Sequence, residues 1–275
     1  MLTRIISAVV ALPVVLWAMV DGGWSFGILV VVVGIVCMAE FLGLVLGRDR
    51  VMQVGLTGLG LFWMASIMTG VVAGRGGVIA VGLIPVVILG VFLVRPGEME
   101  SVAARAALSL LGLWWAGGLL AVTASLRGLP NGMAWVLLAF VLAWGSDTGA
   151  YFSGRLFGAH RLYPKVSPNK TWEGALGGVI VATAGAFGCR ALLGPQVALL
   201  DLAWLAPVAS ILGQAGDLAE SMLKRSVGVK DSGSIMPGHG GLFDRVDSLL
   251  FVGPVLMAYA LAVRNETVLW LGLPW

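Results

Sequence analysis

Charge is what this sequence has least of. Only 11% of its 275 residues are Asp, Glu, Lys or Arg, against 59% hydrophobic residues and a mean hydropathy of +0.98. A soluble domain carries about 25% charged residues, so this chain has too little polar surface to face water on all sides. A bilayer removes that difficulty. Cysteine is equally scarce. Cys37 and Cys189 each lie in an apolar run, which excludes a disulfide framework and, without clustered ligands, a zinc site. Both read as packing residues. There is no GxxxxGK[ST], no GxGxxG after a strand and no HExxH, so the familiar soluble nucleotide loops and the zincin site are absent. The net charge of +3 does not point to nucleic acid. The basic residues sit in short loops between apolar runs, with no basic arm or aromatic-interleaved stripe.

What is present is a series of long apolar runs. A span needs roughly 17–25 mostly apolar residues. The runs fall near 3–20, 24–46, 52–73, 77–94, 106–126, 133–152, 174–194, 199–218 and 246–263. They predict an all-α, polytopic membrane protein of about nine transmembrane helices in a single membrane domain, 1–275. Its N-terminal spans cover about 1–130, and the C-terminal half, 131–275, carries the active site. The first run follows Arg4, but Ala18-Met19-Val20 is a poor cleavage site, so it reads as a retained helix. Pro13, Pro85 and Pro254 inside apolar runs mark expected kinks.

Lys and Arg give the orientation. With the N-terminus in the cytoplasm, thirteen of the 17 basic residues fall on the inside and four (Arg75, Arg127, Arg190 and Arg264) on the outside. That bias fits the positive-inside rule. It puts the two longest connections, 153–173 and 217–245, in the cytoplasm, and the expected location is the cell (inner) membrane as a multi-pass chain. Gly43/Gly47 and Gly174/Gly178 have small-xxx-small spacing. Internal helix packing is the first reading of it, and a homodimer face the alternative.

The acidic residues cluster at that same predicted face. Asp147 ends the sixth run, Asp217 and Glu220 end the eighth, and Asp244 and Asp247 begin the ninth. Asp244 and Asp247 are three apart and share a helical face, although acids at a helix N-terminus also suit the macrodipole. Lys224, Arg225, Lys230 and Asp231 follow in the same connection, and YPKVSPNKTWEG in the other supplies Lys165, Ser167, Lys170 and Thr171. Carboxylates for a hard cation beside cations and hydroxyls for phosphate are the equipment of phosphoryl or nucleotidyl transfer. Pro237 to Gly241 form a Gly-rich turn, in which His239 is a phosphate donor, a proton carrier or a turn-stabilising side chain. His160 has no constellation around it. Glu40 stands alone in the second run and reads as the partner of a neighbouring helix.

The segment 221–247 resembles a known signature. Ser221-x-Leu223-Lys224-Arg225, Lys230-Asp231-x-Gly233 and Pro237-x-His239-Gly240-Gly241-Leu242-x-Asp244-Arg245-Val246-Asp247 are similar to the pattern of the phosphatidate cytidylyltransferase (CDP-diacylglycerol synthase) family. GSDTGAYFSGRLFG and KVSPNKTWEG upstream resemble it too. Met236 departs from the pattern, which prefers Leu, Ile or Phe there, but stays apolar.

The resemblance implies transfer of the cytidylyl group of CTP to phosphatidic acid, giving CDP-diacylglycerol and pyrophosphate. It implies magnesium, optionally accompanied by potassium. Asp217 and Asp244 match the family's metal site, with Asp247 and Asp147 nearby. Lys224, Arg225 and Lys230 are expected to hold the triphosphate or the lipid phosphate. Lys165, Ser167, Lys170 and Thr171 are expected to complete the cradle. Asp231, Arg245, Asp247, Asp147 and His239 complete the set expected around the substrates. The expected partners are CTP, phosphatidic acid and the bilayer. Three rivals are a secondary transporter, a CTP-using lipid kinase and a non-catalytic lipid-binding factor. A transporter would place its polar residues near the midplane in paired halves, whereas these acids gather at one face.

Overall fold

The computed structural model describes residues 2–71, 75–193, 197–236 and 240–268. Each predicted apolar run contains a helix. We number them α1 (Leu2–Asp21), α2 (Gly23–Leu46), α3 (Arg50–Met68), α4 (Arg75–Val94), α5 (Met99–Gly128), α6 (Gly132–Phe157), α7 (Trp172–Leu193), α8 (Leu199–Ser226) and α9 (Phe243–Ala262). Seven of them, α2, α3 and α5 to α9, are long and apolar enough to cross a membrane. Helices suit such a chain because each satisfies its own backbone N–H and C=O groups without water. Large apolar side chains such as Trp24, Phe62, Leu93, Leu176 and Ile180 are exposed. In water so much exposed apolar surface would drive aggregation; in a bilayer it faces lipid. The protein is a multi-pass membrane protein. Cys37 and Cys189 are both buried, as packing residues are.

The helices differ from the predicted runs mainly at their polar ends. α5 begins at Met99 rather than 106, and α8 extends to Ser226 rather than 218, so Lys224 and Arg225 are helical. The connection after α6 is not a plain loop. Strands β1 (Arg161–Tyr163) and β2 (Ser167–Thr171) pair antiparallel, with Arg161 opposite Thr171 and Tyr163 opposite Ser167. Pro13, Pro85, Pro207 and Pro254 all lie inside helices.

The chain divides into two compact units. One comprises 1–124 and 231–243, the other 125–230 and 244–268. In the first, the α2–α3 corner is fixed by local polar bonds. Asp49 caps α3 by accepting the Met52 N–H, at 3.2 Å, and receives Arg95 Nε at 2.9 Å. The Met52 N–H, then Arg95, hold the Asp49 carboxyl below the usual carboxylate range. α5 widens into a π-helical stretch at Leu113–Leu119, a local insertion that often marks functional sites. Its Trp115 ring packs against Phe41, with centroids 6.1 Å apart.

In the second unit, α6 and α7 approach closely through small residues. A Cβ added at Gly149, Gly174 or Gly178 would press on the backbone of the facing helix. The Gly174/Gly178 pair therefore serves internal packing. A Cβ at Gly43 would meet nothing within 4 Å. α8 and α9 run antiparallel: Tyr259 donates to Asp201 at one end, at 2.6 Å, and Lys224 meets Asp244 at the other.

Candidate active site: a carboxylate–lysine cluster

On α8, Asp217, Glu220 and Lys224 stand at i, i+3 and i+7 and so share one face. α9 faces them with Asp244 and Asp247, one turn apart. Lys224 is buried between the two helices. Its Nζ lies 2.6 Å from Asp244 Oδ1 and 3.1 Å from Glu220 Oε2. Lys170 reaches across from β2, with Nζ 2.5 Å from Asp217 Oδ2. Asp147 of α6 joins through Ser248, whose hydroxyl donates to Asp147 Oδ1 at 3.5 Å. Asp247 is buried, and its Oδ1 accepts the Ser248 N–H at 2.6 Å.

One turn below Asp217 a polar network fixes the helices that carry these groups. Gln214 Nε2 donates to Ser146 Oγ and to the Ala175 carbonyl, both at 3.0 Å, and Ser210 Oγ donates to Ser146 Oγ at 2.9 Å. α6, α7 and α8 are thereby tied together beside the acids. Buried polar bonds of this kind hold geometry well when every member is paired.

The charge balance is uneven. Among the described residues the ion pairs to the five carboxylates (Asp147, Asp217, Glu220, Asp244 and Asp247) come from two lysines, Lys170 and Lys224, with Arg245 acting on Asp147 from further away. Like charges crowded in a low-dielectric setting repel strongly. Asp217, Glu220 and Asp247 each offer an oxygen, and the three oxygens lie within 4.8 Å of one another. Glu220 Oε1 is buried with no hydrogen-bond partner among the described residues. A convergent, oxygen-only, electron-rich donor set fits a hard cation.

The structure sorts the predicted residues. Asp147, Lys170, Asp217, Lys224, Asp244 and Asp247 come together in this cluster. Asp244, expected beside Asp217 as the second metal ligand, is ion-paired with Lys224, and Glu220 stands with Asp217 and Asp247. Glu220 is missing from the expected site residues, although its spacing from Asp217 and Lys224 was the signal. Thr171 is buried and caps α7, accepting the Gly174 N–H at 3.1 Å. Lys165 lies exposed at the hairpin turn, and Ser167 is half-buried in β2. Arg225 is exposed and donates to the Val229 carbonyl at 2.9 Å, closing the end of α8. Lys230, Asp231 and Arg245 are exposed, and His239 lies outside the described residues. His160 does have a partner: the Glu173 carboxylate takes the Ala159 and His160 N–H groups and the His160 ring at 2.6 Å, pinning the start of the hairpin.

The chain is similar to known proteins along most of its length. Residues 2–263 match the sequence pattern of the family described as the cytidylyltransferase family. A phosphatidate cytidylyltransferase of Brucella abortus (strain 9-941) is 34% identical over 274 residues, 97% of this chain and 96% of that protein. One from Brucella suis is 35% identical over 264 residues, 94% and 92% of the two chains. One from Staphylococcus saprophyticus is 48% identical over 126 residues, 46% of this chain and 48% of that protein.

Proposed function

This chain belongs to the cytidylyltransferase family, and from that premise we propose that it is a phosphatidate cytidylyltransferase, joining CTP and phosphatidic acid into CDP-diacylglycerol and pyrophosphate at the cytoplasmic face of the cell membrane. The observation that carries the proposal is the convergence of Asp217, Glu220 and Asp247 between Lys170 and Lys224. The basic residues on the two long connections support the cytoplasmic orientation.

A phosphate oxygen of phosphatidic acid attacks the α-phosphorus of CTP in line. The new P–O bond forms as the bond to pyrophosphate breaks. The lipid phosphate is already anionic, so no protein nucleophile takes part. Asp217, Glu220 and Asp247, with Asp244 beside them, would hold magnesium, and potassium would be an optional second cation. Magnesium, when bound, supplies neutralisation of charge on the phosphates. Lys170 and Lys224 bind phosphate oxygens as point charges. Before substrate arrives they are held in place by Asp217 and by the Glu220–Asp244 pair. Catalysis is positioning plus charge neutralisation. The Gln214–Ser146–Ser210 network keeps the helix ends fixed while substrates exchange. Lys165, Ser167, Arg225, Lys230 and Arg245, on exposed or half-buried positions, serve as the outer contacts for CTP.

The test is a label-transfer assay on purified protein in detergent with phosphatidic acid, magnesium and α-labelled CTP. Label in the lipid fraction with matching pyrophosphate release is expected. Label remaining as soluble CDP identifies a lipid kinase instead, and no turnover returns the chain to transport or lipid binding.

A further inference from the structure

Glu40 is the one charged residue in the 24-residue helix α2, and it is 7% exposed. A buried carboxylate survives there only if donors meet it. Two donors to Oε2 come from a segment about two hundred residues away, while Oε1 has no hydrogen-bond partner among the described residues. The Phe243 N–H donates to Glu40 Oε2 at 2.9 Å, and Ser232 Oγ donates to the same oxygen at 3.4 Å. The Phe243 amide is a first-turn N–H of α9, which has no acceptor within its own helix. A negative charge at that end is also favoured by the helix dipole.

The same helix grips Phe243 by its side chain. The Phe243 ring is fully buried, with its centroid 5.6 Å from that of Phe41 and 5.8 Å from that of Trp115 on the π-helical stretch of α5. The chain before Phe243 is shaped to Glu40 as well. A Cβ on Gly233 or on Gly241 would overlap the Glu40 carboxylate, so a side chain at either place would push it aside. Between them Met236 and Gly240 pair, with the Met236 N–H 3.1 Å from the Gly240 carbonyl.

We infer that Glu40 is a positioning residue for the reaction, which holds Ser232, Gly233, Gly241 and the first amide of α9 and so fixes where α9 begins. The inference rests on the reading above, in which Asp247 and Asp244 of α9 serve cytidylyl transfer. Asp244 is the next residue after the one Glu40 holds, and Asp247 follows one turn later. Small displacements of catalytic groups cost rate steeply, about 100-fold for 1 Å.

The test compares Glu40→Ala with Glu40→Gln in the full-length protein, with rates normalised to folded, monodisperse protein. The amide of Gln keeps an acceptor oxygen for the Phe243 N–H. Glu40→Ala is expected to lower kcat by about 10- to 100-fold, with KM for CTP changed by less than about threefold. Glu40→Gln stays within about threefold of wild type on the same scale. Hydrogen exchange at the Phe243 amide is expected to accelerate at least about tenfold in Glu40→Ala and not in Glu40→Gln. If Glu40→Ala does not fold, Gly233→Ala, which keeps the carboxylate but displaces it, is expected to show the same loss of kcat and the same faster exchange. A folded Glu40→Ala with wild-type kcat overturns the inference. So does unchanged exchange at Phe243, or a Glu40→Gln as impaired as Glu40→Ala. If the wild type transfers no label to lipid, the functional reading fails, and the exchange measurement alone decides whether Glu40 holds the loop.

Discussion

Glu40 and Glu220 are both buried glutamates on apolar helices, each with one carboxylate oxygen unpaired among the described residues, and they differ in their neighbours. Glu40 meets a backbone amide and a serine hydroxyl, with glycines packed around it. Glu220 meets one lysine and stands among Asp217, Asp244 and Asp247. The first acid is supplied with donors by its own chain, so its work is to hold that chain. The second stands among three further carboxylates with one lysine in contact, the arrangement on which the proposed cation site rests. Burial of an acid is therefore not the mark of chemistry in this protein; an unbalanced set of them is.

The largest effect that would break this contrast comes from the cluster. Asp217→Asn and Asp247→Asn are each expected to lower label transfer by about 1000-fold or more. Their thermal midpoints should hold or rise, because one of several crowded like charges has gone. A midpoint that collapses in Asp247→Asn, with activity per folded molecule unchanged, would make the cluster structural like Glu40.

A smaller effect is expected at the cation between the acids. Lys224→Met leaves Glu220 and Asp244 facing each other without compensation, and should cost about 3–5 kcal/mol of stability. Thermal unfolding in detergent measures it. Adding Glu220→Gln should recover part of the loss, and no recovery would show that Lys224 acts through something other than this pair.

The organisation of the chain was largely legible before the fold. Nine apolar runs became nine helices because span length and internal backbone bonding leave few other solutions. Asp217, Glu220 and Lys224 could be read onto one face from spacing alone. What the spacing does not encode is which acid takes which partner. Asp244 and Asp247 are equivalent by helical period, yet one pairs with Lys224 and the other joins Asp217 and Glu220. The contacts of Glu40 were out of reach for a related reason: its partners lie 192 and 203 residues away, and no local pattern links them. The hairpin of β1 and β2 was hidden in a connection whose Pro and Lys content reads as loop, and its Thr171 also caps α7.

Thr171 sets the smallest prediction. Thr171→Val removes the cap on α7 and should cost about 1 kcal/mol of stability, seen as a lowered thermal midpoint with turnover reduced only modestly. A loss of turnover as deep as that of Asp217→Asn would move Thr171 from the scaffold into the substrate cradle.

The central claim is that the acids of α8 and α9 hold a divalent cation on which lipid cytidylylation depends. Mn2+ titration followed by electron paramagnetic resonance, on the protein also assayed for label transfer, tests it most directly. Bound Mn2+ and turnover are expected to rise together in chelator-stripped wild type, both to vanish in the Asp217→Asn/Asp247→Asn double variant, and both to persist in Glu40→Gln. Full turnover in the stripped protein without added divalent cation, or undiminished Mn2+ binding by the double variant, would contradict it.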